Sequence, residues 1–273
     1  TSNVAVGSLA LENNTTGGNN TAVGYNSLTT NTTGADNSAF GEQALGVNTT
    51  GSTNTAIGRD ALGANTTGGE NVGVGNHAGK LITTGNRNTA VGSQAMYSGG
   101  GNASDNVAIG RMALKVVTSG NNNAIVGKGA AQKLTTGAGN AALGSDALQQ
   151  NTTGSTNTAV GRHALLSNTT ASNNTAVGNN SLASNTTGDS NVGVGVGAGE
   201  ANTTGVRSIY IGYDSGHNNT TGGLNTIIGY EAGFHNTTAS GNSALGYRVL
   251  QQNTTGVNNT AVGANALDAN TTA

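Results

Sequence analysis

The chain has no cysteine and no tryptophan. The first absence removes a disulfide framework, a thiolate metal site and thiol redox chemistry, so stability has to come from packing. Aromatic residues make up only 3% of the 273 residues and charged residues 8%, too little of either to fill a wide globular core or to build a strongly charged surface. The formal net charge of -2 lacks the basic surplus of a nucleic-acid binder. No stretch approaches the roughly 20 apolar residues needed to span a bilayer. Proline is absent as well, whereas glycine reaches 46 residues and Asn and Thr crowd the remainder. Composition alone would suit a low-complexity disordered segment. Periodicity argues otherwise.

One glycine recurs at a constant interval, from Gly7, Gly24, Gly41, Gly58, Gly75 and Gly92 to Gly110 and on to Gly263. Every step is 17 residues except one of 18, so sixteen units and one inserted residue account for residues 1–273. The reading is a single continuous array without caps, with the insertion near 98–105, around Gly99-Gly100-Gly101. Both ends stay in phase with the repeat, Thr1-Ser2-Asn3-Val4-Ala5 opening and Asn270-Thr271-Thr272-Ala273 closing. A segment of a longer array, or one that stacks end to end, is expected to look this way.

Aligned on that glycine, the units read N-T-A-V-G-x-x-A-L-x-x-N-T-T-G-x-x, as in Asn54-Thr55-Ala56-Ile57-Gly58, then Ala61-Leu62 and Asn65-Thr66-Thr67-Gly68. Two short apolar segments and glycine-containing turns in so short a unit leave no room for a helix pair. They suit one coil of a parallel β-solenoid, and the expected fold is all-β with sixteen coils. Alternation along the strand, weighted by side-chain size, turns the residues three and one before the glycine inward and leaves the Ala or Gly between them on a flat outer face. That face, enlarged at Ile125, Tyr210 and Ile227, is the expected interface of a homo-oligomer packed around a three-fold axis. The leucine four residues after the glycine closes the thin core. Gly79, Gly199, Gly216 and Gly233 replace it in four coils, where the core is expected to narrow.

The first Asn of the unit occupies equivalent positions at Asn3, Asn20, Asn37, Asn54, Asn71, Asn88, Asn106, Asn123, Asn140, Asn157, Asn174, Asn191, Asn225, Asn242 and Asn259, with Ser208 in the remaining unit. Stacked amides of this kind satisfy one another as a ladder, so these asparagines read as structural.

The strand motif N-[TSV]-[AG]-[VI]-G, as in Asn106-Val107-Ala108-Ile109-Gly110 and Asn3-Val4-Ala5-Val6-Gly7, resembles the head repeats of trimeric autotransporter adhesins of the YadA type. Similar repeats occur in phage tail fibres. The resemblance implies a left-handed β-roll, three chains around an axis, display at a cell surface or on a virion, and attachment to host surfaces. The expected function is therefore a structural fibre or adhesin segment, or else a tail-fibre shaft.

Chemistry has few candidates, and no enzyme is expected. His217 and His235, beside Asp214 and Glu231, are the histidines nearest to being stacked, but read more simply as solvated; neither a metal site nor a cofactor is assigned. Gly193-Val194-Gly195-Val196-Gly197 belongs to the repeat, and no helix follows it as a dinucleotide loop requires. The frequent Asn-x-Thr sequons read as turns, since glycans would crowd at the coil spacing. Two rows are candidate ligand contacts. Arg111 and Lys128 fall in register just after the repeat glycine, a stacking of like charges that suits an anionic partner. Tyr213, Tyr230 and Tyr247 take that same position in three consecutive coils, and suit a host glycan or receptor protein. Ice binding is a further alternative, disfavoured because neighbouring Thr-Thr residues alternate faces and the strand threonines are expected to point inward.

Overall fold

The computed structural model describes residues 2–97 and 101–272. The insertion at Gly99-Gly100 and the terminal residues Thr1 and Ala273 lie outside the described residues. The chain is an all-β parallel β-solenoid, and it divides into two compact units, residues 1–139 and 140–273. Each unit holds eight three-residue strands, from β1 (Val4–Val6) and β2 (Thr21–Val23) to β8 (Ala124–Val126) in the first, and from β9 (Ala141–Leu143) to β16 (Thr260–Val262) in the second.

Within each unit successive strands pair in parallel with no slip in register: Thr55 lies beside Val72, Ala56 beside Gly73 and Ile57 beside Val74. The repeat glycines consequently stack. Gly58 donates its N–H to the Phe40 carbonyl at 2.8 Å, and a methyl group on it would come within 2.8 Å of the Gly75 backbone. Its φ of 126° is also closed to residues with a side chain, so both close approach and conformation require glycine.

Only three residues of each coil are strand, and single left-handed residues turn the chain in the rest of the circuit. In the coil 54–70, Asp60, Leu62 and Glu70 have φ of 56°, 49° and 59°. Asp and Asn tolerate this region, whereas leucine does not do so willingly, at about 1–2 kcal/mol per residue. Burial decides the balance: Leu62 is fully enclosed, and hiding such a side chain contributes about 1.5–3 kcal/mol.

The strand faces are the reverse of those expected. Ala56 is completely buried while Ile57 is 43% exposed, and the same inversion holds along both units. Space is the reason. A methyl group added to Gly73, which occupies the Ala56 position of the next coil, would lie 2.9 Å from Leu62 Cγ. The inward strand position thus faces the core leucine at methyl width, and the branched side chains are turned out.

Ile125, Tyr210 and Ile227, expected at an intermolecular interface, are instead buried in the chain's own core. They occur where the core leucine is lost. Ile125 accompanies Ala131, Tyr210 accompanies Gly216, and Ile227 accompanies Gly233. Ile82 fills the space beside Gly79, whereas Gly199 lies against the Tyr210 ring. The core keeps its volume by exchanging which strand or turn supplies it.

Candidate functional site

The outward strand face carries a repeated row of apolar side chains that the core does not use. The residue just before the repeat glycine is Val, Ile, Phe or Leu in all sixteen coils. In the first unit Val6, Phe40, Ile57 and Ile109 of this row are exposed, and in the second Leu143, Val177, Ile211, Leu245 and Val262, while members between them such as Val74, Val91, Val160 and Val194 are half-buried. Successive members sit about 4.8 Å apart, so each unit presents a line of apolar side chains about 34 Å long. The residues three before the glycine share this face, among them Thr21, Thr55, Thr89, Thr158, Thr175, Thr226 and Thr260, so the strand threonines point outward and not inward.

Two amide columns hold the face rigid from behind. Asn54 is fully buried; its Nδ2 donates to Asn37 Oδ1 at 3.1 Å and to the Gly68 carbonyl at 2.9 Å. Its Oδ1 accepts the Asn71 N–H at 2.9 Å. The same bonding ties Asn37 to Asn20 and Asn157 to Asn140. At Ser208 the hydroxyl accepts the Asn225 N–H at 3.2 Å, which preserves the acceptor half of the pattern.

The second column lies in the N-T-T-G segment, where sequence reasoning saw only a turn. Asn48 donates to Asn31 Oδ1 at 2.8 Å, and Asn185 to Asn168 Oδ1 at 3.0 Å. Beside it the first threonine of each pair bonds to the next coil, as Thr49 Oγ1 does to the Thr66 carbonyl at 3.0 Å. In the first unit buried Ile82, Val117 and Leu134 interrupt this column.

The tyrosine row is assembled in the second unit. Tyr213 and Tyr230 stack with centroids 5.2 Å apart and planes 11° from parallel, and Tyr230 and Tyr247 follow at 5.6 Å and 14°. Arg248 covers the Tyr247 ring at 5.1 Å and pairs with Glu231 at 2.9 Å. The inner ring faces are therefore spent on one another, and what the row offers outward is ring edges and a line of phenol oxygens. A hydrogen bond to Glu231 raises the Tyr230 phenol above its ordinary pKa. Beside the row His217 stacks on Phe234 at 5.1 Å with its Nδ1 3.3 Å from Asp214, whereas His235 meets the edge of Phe234. Among the described residues, no three His, Asp or Glu side chains gather as metal ligands.

Arg111 and Lys128 are both exposed on the first unit, and neither is paired with a carboxylate among the described residues. The tyrosine row belongs to the other unit. No helix among the described residues is long and apolar enough to cross a membrane. No protein-family model, curated protein or solved structure matches this chain.

Proposed function

We propose that this chain is a structural segment of an extracellular fibre or surface adhesin, working by attachment and not by catalysis, and associating laterally with copies of itself. The observation that carries the reading is the row of Val, Ile, Leu and Phe side chains on the outward strand face of each unit. An exposed line of this kind, repeated identically in every copy, is self-complementary, and its burial supplies a driving force for association. The resemblance to YadA-type heads supports assembly as a trimer at a cell surface, and a phage tail-fibre shaft would use the same face. The interface moves, relative to the Ala/Gly face expected from sequence, to the Val and Ile side chains.

A second reading has one observation in its favour. The outward strand threonines present hydroxyls and methyls at regular spacing, as an ice-binding surface does. Val72, Val107, Val192 and Ile209 interrupt that array, which favours protein contact. Sedimentation equilibrium separates the two: the wild type is expected at a multiple of 26.5 kDa, and a variant with Ile57, Ile211 and Leu245 changed to Lys is expected as a monomer. A monomeric wild type that shows thermal hysteresis would reverse the choice.

A further inference from the structure

A cavity of about 230 Å³ opens in the first unit, away from the strand face and from every residue assigned above. Gly46 and Gly63 are among the residues that line it. Equivalent positions in neighbouring coils carry Thr29 and Lys80, and neither glycine has a left-handed φ, so the backbone does not demand glycine here. The missing side chains create the cavity. One wall is built by Asn26, Gln43 and Asp60, which occupy one position in three consecutive coils with φ of 56°, 57° and 56°. Their N–H groups are bonded to the preceding coil, Gln43 to Tyr25 and Asp60 to Glu42 at 2.9 Å each, which fixes the wall. Val47 also lines the cavity and is exposed.

We infer that this cavity binds one pyranose ring of a polysaccharide. Three planar groups, two amides and a carboxylate, stand about 4.8 Å apart along the wall. The amides of Asn26 and Gln43 make no hydrogen bond within the described chain. Asp60 commits Oδ2 to His77 at 3.1 Å and to Lys80 at 3.4 Å, which leaves Oδ1 as a free acceptor. Such groups donate to and accept from neighbouring hydroxyls, while Val47 offers an apolar surface to the C–H face of a ring. The volume falls below the roughly 300–1,000 Å³ of sites for larger organic ligands, which selects a single ring. No cationic side chain lines the cavity, which disfavours phosphate, and the engagement of Asp60 by Arg59, His77 and Lys80 disfavours a metal ion. This inference rests on the attachment part of the proposed function, not on lateral assembly.

Isothermal titration and saturation-transfer NMR with maltotetraose, cellotetraose and chitotetraose test it. At least one of the three is expected to bind with a dissociation constant of about 1 mM, near -4 kcal/mol, and to show transfer to ring protons. Gly46→Thr combined with Gly63→Lys, copying residues that other coils already accommodate, should weaken that binding at least tenfold while the circular dichroism spectrum is unchanged. If that variant misfolds, Asn26→Ala with Gln43→Ala should give the same loss. Leu245→Lys, which disturbs the strand face of the other unit, should leave binding intact, so failure of lateral assembly and failure of this site read differently. No binding of any of the three sugars, or equal binding to wild type and a folded cavity variant, overturns the inference.

Discussion

Tyr210 gives the sharpest test of which side of the strand faces the core. Its side chain is fully buried, and a methyl group on Gly199 would lie 2.6 Å from ring atom Cδ2. Its hydroxyl accepts a hydrogen bond from Asn219 Nδ2 at 2.8 Å. Tyr210→Ala restores the residue that most coils carry at that position, yet here it removes the only large group in its coil's core. Truncating a buried aromatic costs about 3–5 kcal/mol, a large part of a typical stability of about 5–15 kcal/mol. Gly216→Leu alone forces a side chain into the Tyr210 ring and should cost at least about 1–3 kcal/mol as overpacking. Together the two changes rebuild the consensus pair of Ala and Leu, and the double variant should be more stable than either single one. A loss should remain, about 1–2 kcal/mol because leucine replaces glycine at a φ of 60°, and more because the space beside Gly199 that the Tyr210 ring fills is left empty. Urea unfolding followed by far-ultraviolet circular dichroism measures the cycle, with hydrogen exchange reporting on the altered coil. A loss within about 0.5 kcal/mol for Tyr210→Ala, as for an exposed residue, or simple additivity of the two changes, would refute the packing argument.

The same tyrosine predicts an alkaline transition. Burial pushes its phenol from 10.0 up to about 12, so the folded chain keeps a proton that the unfolded chain gives up. Its contribution is intact below about pH 10 and declines by about 1.4 kcal/mol per pH unit until about pH 12. Tyr210→Phe should flatten that part of the stability profile, and an unchanged slope in urea titrations at pH 9 and pH 11 would count against it. Asn54→Ala orphans the Asn71 N–H inside the solenoid, at about 1–3 kcal/mol, while the Gly68 carbonyl keeps its bond from Asn65 Nδ2. Asn54→Ser, which copies Ser208, should cost clearly less in the same denaturation assay, and equal losses would contradict the ladder account.

The 17-residue period made the parallel stack and the line of glycines legible, because any slip in register would break the alignment of sixteen units. The facing of the strand was not legible from alternation alone. Thr55, Ala56 and Ile57 alternate equally well in either orientation, and the preference for burying the larger side chain selects the wrong one when the interior is a methyl group wide. The sequence did hold a signal: Ile125 with Ala131, Tyr210 with Gly216, and Ile227 with Gly233 exchange size between two positions, as only groups sharing one core do. The second amide column was visible as Asn-Thr-Thr-Gly but read as a turn, since its hydrogen bonds run between coils and leave no local mark. The cavity over Gly46 and Gly63 had no legible counterpart, because glycine in a turn-rich segment reads as conformational need until φ shows otherwise.

The absence of native cysteine allows the central claim to be tested directly. Ala56→Cys and Ile57→Cys each introduce one thiol, at adjacent positions on opposite faces of the same strand. If the aliphatic row faces outward and pairs with other copies, Ile57→Cys should react rapidly with maleimide or form a disulfide between chains under mild oxidation, while Ala56→Cys stays inert until the chain unfolds. A reactive thiol at position 56 with a silent one at position 57 would contradict both the facing of the strand and the assembly built on it.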